Sequence, residues 1–225
     1  MAKIGYIKVL IIDNHPLFIM GLSSLLENNS KFNIIGTTEN YSDALKIAEK
    51  EKPTLVLTEI RLGKENGLEF IQKLKSINPE TAILIISILD ERFYSERILK
   101  LGAKGYILKT ESADIIMEAI NTVLDNKVYL SENERERIFH SAAENNGKDL
   151  NGDWTTSMQT LSNRELQIIS LIAKGFGTTE IAAMLKLSAK TIDTHKEHIK
   201  SKLHCNTAHE LRQQAIEWAN HSGNL

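Results

Sequence analysis

Cysteine is almost missing from this chain of 225 residues: Cys205 stands alone, so no intramolecular disulfide can form. Proline occurs only three times, and aromatic residues make up 6%. No apolar run approaches the length of a membrane-spanning helix. The first run, Ile7 to Ile12, is interrupted by Lys8 and closed by Asp13, too short and wrongly flanked for a signal peptide. Neither sign of charge dominates, since 27 basic against 29 acidic residues give a formal −2. These absences exclude a disulfide framework and a polycation, and they make a cytoplasmic protein the default expectation. There is no P-loop, nucleophile elbow or metalloprotease motif, so no enzyme is expected. Repeats and low-complexity tracts are absent as well.

What is present is ordinary for one or two folded domains: 42% hydrophobic and 25% charged residues. The first part alternates short apolar strands with helical patterns. Strands are expected over Val9–Ile12, Asn33–Thr37, Thr54–Thr58, Ala82–Ser87 and Gly105–Leu108. Helices are expected over Leu17–Asn28, Tyr41–Glu51, Gly67–Ile77, Glu91–Leu101 and Ala113–Leu124. Strands rich in Ile, Val and Leu belong in a parallel sheet covered on both faces. The expectation is a doubly wound α/β domain with a five-stranded parallel sheet. An acid, Glu59, ends the third strand, where open α/β sheets place their sites.

Residues 131–143 form a short charged helix by pattern. The stretch ENNGKDLNGDWTTSMQT that follows has no apolar period and no Pro, so it is expected to be a flexible linker. Trp154 within it either docks on a neighbour or is a partly exposed linker aromatic. After it the pattern is all helical. Ser162 and Glu165, and again Thr207 and Glu210, stand at capping-box spacing. A helix over Thr179–Leu185 has Thr178 as its expected cap, and the next is capped by Ser188. The tight stretch Lys186–Leu187–Ser188 between them gives a helix-turn-helix pattern. Charge is uneven here: residues 157–225 hold 8 basic and 6 acidic residues, with five of the seven histidines. A mildly basic terminal part permits a nucleic-acid partner without requiring one.

On a helical wheel, Ile192, Lys196, Ile199 and Leu203 fall on one side of the third helix, with His195 at the border. Lys190, Thr194, Glu197, His198 and Ser201 stand opposite. The apolar stripe is expected to pack inward and the polar face to be free for a major groove, where Lys and Thr contact bases or phosphates and Glu accepts from cytosine N4. A small helical bundle with a merely solvated polar face is the competing reading. His195, His198, His204, Cys205 and His209 also offer metal donors. Beyond the His195/His198 pair their spacing fits no strong zinc pattern, so no metal site is assigned.

The stretch Leu161–Trp218 resembles the LuxR/NarL-type DNA-binding domain through LSNRE, LIAKG, TTEIAAML, LSAKTIDTHKEHIKSKL and AHELRQQAIEW. The resemblance implies four helices, the third reading DNA and the fourth supporting dimerisation. It places Lys190, Thr191, Asp193, Thr194, His195, Glu197 and Lys200 in the DNA-proximal helix. Lys190, Thr194 and His198 are the expected groove contacts, and Lys196, Lys200 and Lys202 the expected phosphate contacts. Thr178 and Thr179 join the DNA-binding set from the preceding helix. Leu211, Ala215 and Trp218 supply an apolar stripe for core or dimer contact.

Residues 8–125 resemble the receiver domain of two-component response regulators, through VLIIDNHPLF, LVLTEIRLGKENGLE, ILIIS and GAKGYILK. Asp13 matches the first metal-binding acid, and Ser87, Tyr106 and Lys109 match the residues that contact or report a phosphoryl group. Asn14 stands where a second acid is expected, Glu59 where the phosphoacceptor Asp is expected, and Gly63 where a Pro is usual. Asn offers Mg²⁺ only a neutral oxygen. A Glu carboxylate reaches roughly 1.5 Å too far for in-line transfer. These departures argue against Mg²⁺ binding and against a histidine kinase as donor; no cofactor is assigned. Two roles for Glu59 stay open, a partial mimic of the phosphorylated state and a structural remnant paired with Lys109. A residual buried acid cluster of Glu59 with Asp13 is a third reading.

The expected organisation is a receiver-like domain over 1–128, a helix and linker over 129–157 and a helix-turn-helix domain over 158–225. The expected function is a DNA-binding transcriptional regulator that works without phosphorylation. Its expected partners are double-stranded DNA and a second copy, with RNA polymerase as a further candidate and no membrane. The alternative is an interaction protein whose degenerate receiver binds another protein. Asp193 and Glu197 on the reading helix leave room for that.

Overall fold

The computed structural model describes residues 6–63, 65–143, 158 and 160–221. The chain divides into two compact units, Met1–Ala143 and Glu144–Leu225. Most of the linker, Trp154 included, lies outside the described residues.

In the first unit the apolar runs form β1 (Ile7–Ile12), β2 (Phe32–Thr38), β3 (Leu55–Thr58), β6 (Ala82–Ser87) and β7 (Gly105–Leu108). They make one parallel sheet of order β2-β1-β3-β6-β7. Side chains alternate between its faces. On one face Val9, Ile11, Leu55, Leu57, Leu84, Ile86 and Ile107 pack against Leu22 and Leu26 of α1 (Pro16–Glu27) and Ile116, Ile120 and Val123 of α5 (Ala113–Leu124). Removing one such Leu or Ile side chain costs about 2–5 kcal/mol. α2 (Tyr41–Glu51) packs on β1, β2 and α3 (Gly67–Ile77). Pro16 opens α1, a position where its missing N–H is no loss. Asn40, Asn66 and Ser112 cap α2, α3 and α5 through their side chains.

Two details depart from the sequence reading. The expected helix over 91–101 is split into a 3₁₀ turn at Glu91–Phe93 and α4 at Ser95–Lys100. Asp90 caps the turn through Arg92 N. Tyr94 leaves helical geometry at the break and stacks on Tyr106, with centroids 6.4 Å apart. Also, β3 is followed by a small hairpin, β4 (Arg61–Leu62) and β5 (Glu65–Asn66). Gly63 turns it at φ 56°, which proline cannot adopt.

The charged helix expected over 131–143 is α6, Glu132–Ala143, and it is anchored to the first unit by buried charge. Glu134 is 1% exposed, accepts from Ser95 Oγ and meets Arg137 Nη2 at 2.7 Å. Arg137 also pairs with Glu96 at 3.0 Å.

The described part of the second unit includes the helices α7 (Asn163–Ala173), α8 (Thr178–Leu185), α9 (Ala189–Lys202) and α10 (Ala208–His221). Ser162 and Glu165 form the expected capping box. Thr178 is a correction: it is the first residue of α8, and Gly177 is the cap. At α10, Thr207 Oγ1 accepts from Glu210 N, but the Glu210 carboxylate reaches Asn206 N rather than the cap's own N–H. Lys186 makes the tight turn at φ 54°, and Ser188 caps α9. Leu211, Ala215 and Trp218 are all buried within this unit, so their stripe serves its core.

Candidate functional site

Parallel strands bring their carboxyl ends to one edge, and there the spaced site residues meet. Asp13 follows β1, Glu59 follows β3, Ser87 ends β6 and Lys109 follows β7. Glu59 N donates to Ile12 O at 2.9 Å, the last rung between β3 and β1. The chain then turns, and Ile60 N donates back to Glu59 Oε1 at 2.8 Å. Ser87 Oγ donates to the same oxygen. Lys109 Nζ lies 3.0 Å from Glu59 Oε2 as a charge contact, without hydrogen-bond alignment, and 2.5 Å from Asp13 Oδ2. Asp13 and Glu59 are 2% and 3% exposed, so this triad is held away from bulk water.

Close packing holds the loop in place. Tyr41 Oη donates to Glu59 O at 2.7 Å, and a side chain at Gly67 would collide with Ile60 O. Burial, aided by the Glu59 charge, pushes the Tyr41 phenol well up, so it remains a donor. Tyr106 is fully buried, donates to Leu89 O at 2.8 Å and has its phenol pushed well up by that burial. Leu89 N in turn donates to Ser87 Oγ at 3.1 Å. Glu59, Ser87, Leu89 and Tyr106 therefore form one connected path.

His15 was missed by sequence reasoning. Its Nδ1 lies 2.9 Å from Asp13 Oδ1 and 3.2 Å from Lys109 Nζ. Its backbone N also donates to Asp13 Oδ1 at 2.9 Å. The signal available was only its place two residues after Asp13. Asn14 is exposed.

Mg²⁺, the metal that the resemblance implies, needs oxygen donors at near-octahedral positions. Here the Lys109 ammonium already stands between the two carboxylates, and Asn14 brings a neutral oxygen. This donor set does not fit Mg²⁺.

In the second unit, Ile192, Ile199 and Leu203 are buried, while Lys190, Thr194, Glu197, His198 and Ser201 of α9 are exposed. The wheel therefore divided α9 correctly. Thr191 is occupied at the helix cap with Ser188. Lys196 Nζ donates to Thr178 Oγ1 at 2.6 Å, and Thr178 Oγ1 donates to Asp193 Oδ1 at 3.2 Å, which ties α8 to α9. Lys200 pairs with Glu197 at 2.9 Å. Lys202 Nζ reaches the buried Glu165 Oε2 at 2.7 Å, a partner inside the unit. Thr179 is exposed, and His195 is half-buried.

Comparison with known proteins agrees with this division. Residues 9–121 match the response regulator receiver domain, and residues 159–219 match the bacterial regulatory proteins of the luxR family. The oxygen regulatory protein NreC of Staphylococcus aureus (strain NCTC 8325 / PS 47) is 33% identical over 211 residues, covering 93% of this chain and 97% of that protein. Among solved structures, RcsB from Salmonella enterica serovar Typhimurium bound to promoter rprA with phosphomimetic BeF3⁻ has a TM-score of 0.69 at 21% identity, over 94% of this chain and 98% of that one. The same protein bound to promoter P1flhDC has a TM-score of 0.69 at 22% identity, over 95% and 100%. The chain belongs to the response regulators that join a receiver domain to a luxR-type DNA-binding domain. It is a transcription regulator and not an enzyme. Among the described residues no helix is long and apolar enough to cross a membrane.

Proposed function

We propose that this regulator binds DNA without being phosphorylated, because Glu59 supplies within the chain what a phosphoryl group supplies in trans. One observation carries this reading: a single carboxylate engages Ser87 through Oε1 and Lys109 through Oε2 at once. Ser87 then holds Leu89 N, and Leu89 O holds the inward Tyr106. The mimicry is partial, since one carboxylate carries −1 where a phosphoryl group brings about −2 and three acceptor oxygens. A histidine kinase is not required as donor.

The protein acts as a dimer on two half-sites, a reading supported by the similar fold of RcsB, solved as two dimers bound to two parallel DNAs. Lys190, Thr194 and His198, exposed on α9, contact bases, with Glu197 able to accept from cytosine N4. Thr179, Lys196 and Lys200 line the backbone contacts. Lys202 contributes by holding α9 to α7 through Glu165. The function is cytoplasmic, and RNA polymerase is the partner to which bound dimers would present themselves.

The test is treatment with a small phosphodonor. The expected result is no added phosphate by mass spectrometry and unchanged DNA affinity. A covalent phosphate on Glu59 together with a gain in affinity contradicts the reading.

A further inference from the structure

Sequence spacing assigned no metal site to His195, His198, His204, Cys205 and His209. The fold brings two of them, His195 and His198, beside Glu165 of α7. The ligand atoms of the three all lie within 4.8 Å of one another. We propose that Glu165, His195 and His198 bind a zinc-class divalent transition-metal ion on the flank of the helix-turn-helix.

The donor set is suited to such an ion. Imidazoles with one carboxylate favour Zn²⁺ and its neighbours over Mg²⁺ or Ca²⁺. Three protein ligands leave a fourth, tetrahedral position for water. His195 and His198 stand three residues apart, hence on one face of α9. Glu165 is 3% exposed and is already oriented, as metal-bound carboxylates are: Oε2 accepts from Ser162 N at 2.6 Å and from Lys202 Nζ at 2.7 Å. Both bonds use Oε2, which leaves Oε1 to ligate. Burial pushes this carboxyl up, but the hydrogen bonds from Lys202 and Ser162 outweigh it and hold it below the ordinary glutamate range. It is therefore an anion at neutral pH.

His198 is exposed, so an ion has a path in from solvent. Zinc–ligand distances of about 2.0–2.2 Å require closer donors than the present outer span, so binding would draw the three side chains together. The Lys202 ammonium on the other carboxylate oxygen opposes the cation and keeps affinity moderate. His204, Cys205 and His209 take no part in this group. Occupancy would staple α7 to α9 and draw His198 away from the groove.

The experiment is titration of the untagged full chain with Zn²⁺ alone, beside His198→Ala and Cys205→Ser. One ion per chain is expected, with His198→Ala weakening binding by about tenfold or more while its metal-free melting curve stays that of the wild type. Cys205→Ser is expected to bind as the wild type does, and Co²⁺ substitution to give a visible spectrum without thiolate charge transfer. No binding, equal binding by His198→Ala, or loss of binding in Cys205→Ser overturns the proposal.

Discussion

Lys109 Nζ sits 3.0 Å from Glu59 Oε2, with both side chains buried at the carboxyl edge of the sheet. Asp13 lies on the other side of the same ammonium at 2.5 Å. Two acids therefore share one base, and the cluster depends on that base. Lys109→Met leaves two buried carboxylates facing each other. Loss of one partner of a buried pair costs about 3–5 kcal/mol. Urea unfolding of the first unit is expected to show a loss of that order; an unchanged midpoint would mean the carboxylates find other partners.

Ser87 is the joint between Glu59 and the Leu89–Tyr106 pair. Ser87→Ala removes a donor to the carboxylate and an acceptor for Leu89 N. The expected cost is about 1–3 kcal/mol. Amide exchange at Leu89 is expected to quicken. Protection equal to the wild type would show that Leu89 and Tyr106 hold without Ser87.

Arg137 anchors α6 by meeting Glu134, which is buried, and Glu96. In Arg137→Met, Glu134 keeps Ser95 but loses its cation. Destabilisation of roughly 1–3 kcal/mol and faster proteolysis within 132–143 are expected. Resistance equal to the wild type would mean that α6 does not need the charge pair.

Glu165 and Lys202 give the second unit an acid limit. Burial pushes the Glu165 carboxyl up, while Lys202 and Ser162 hold it net below its ordinary value. A carboxyl depressed on folding contributes stability that is present above its unfolded pKa and is lost as pH falls through the folded one. The second unit is therefore expected to lose stability on the acid side of the ordinary glutamate range. Lys202→Met is expected to flatten that dependence; melting temperatures across pH measure it.

The lysines of α9 divide by partner. Lys190 is exposed, and Lys190→Ala is expected to weaken DNA binding; if Lys190 meets a phosphate, the salt slope falls by about one. Lys202→Met is expected to act on folding first. Matching effects of the two on the salt slope would contradict this division.

Much of this architecture is legible in the chain because its period is strong. Strands such as Leu55–Thr58 and helices such as Tyr41–Glu51 announce themselves by apolar spacing, and parallel strand ends then gather Asp13, Glu59, Ser87 and Lys109. What was not legible depends on distant elements meeting. His15 joins the cluster only because Lys109 arrives from β7. Lys202, expected among the phosphate contacts, also meets Glu165 of α7, a pairing that no spacing within α9 carries. The anchoring of α6 needs Ser95 and Glu96, some forty residues earlier. At the break, Tyr94 stacks on Tyr106, a contact that no helical pattern carries.

The first measurement is DNA affinity on a selected two-half-site sequence, without phosphodonor, for wild type and Glu59→Gln. Glutamine keeps the shape and removes the charge that faces Lys109. If the carboxylate holds the DNA-binding state, affinity falls by at least about fivefold, the lower end of ordinary coupling between sites. Equal affinity would show that the Glu59 charge does not set DNA binding, and that the signal enters by another surface.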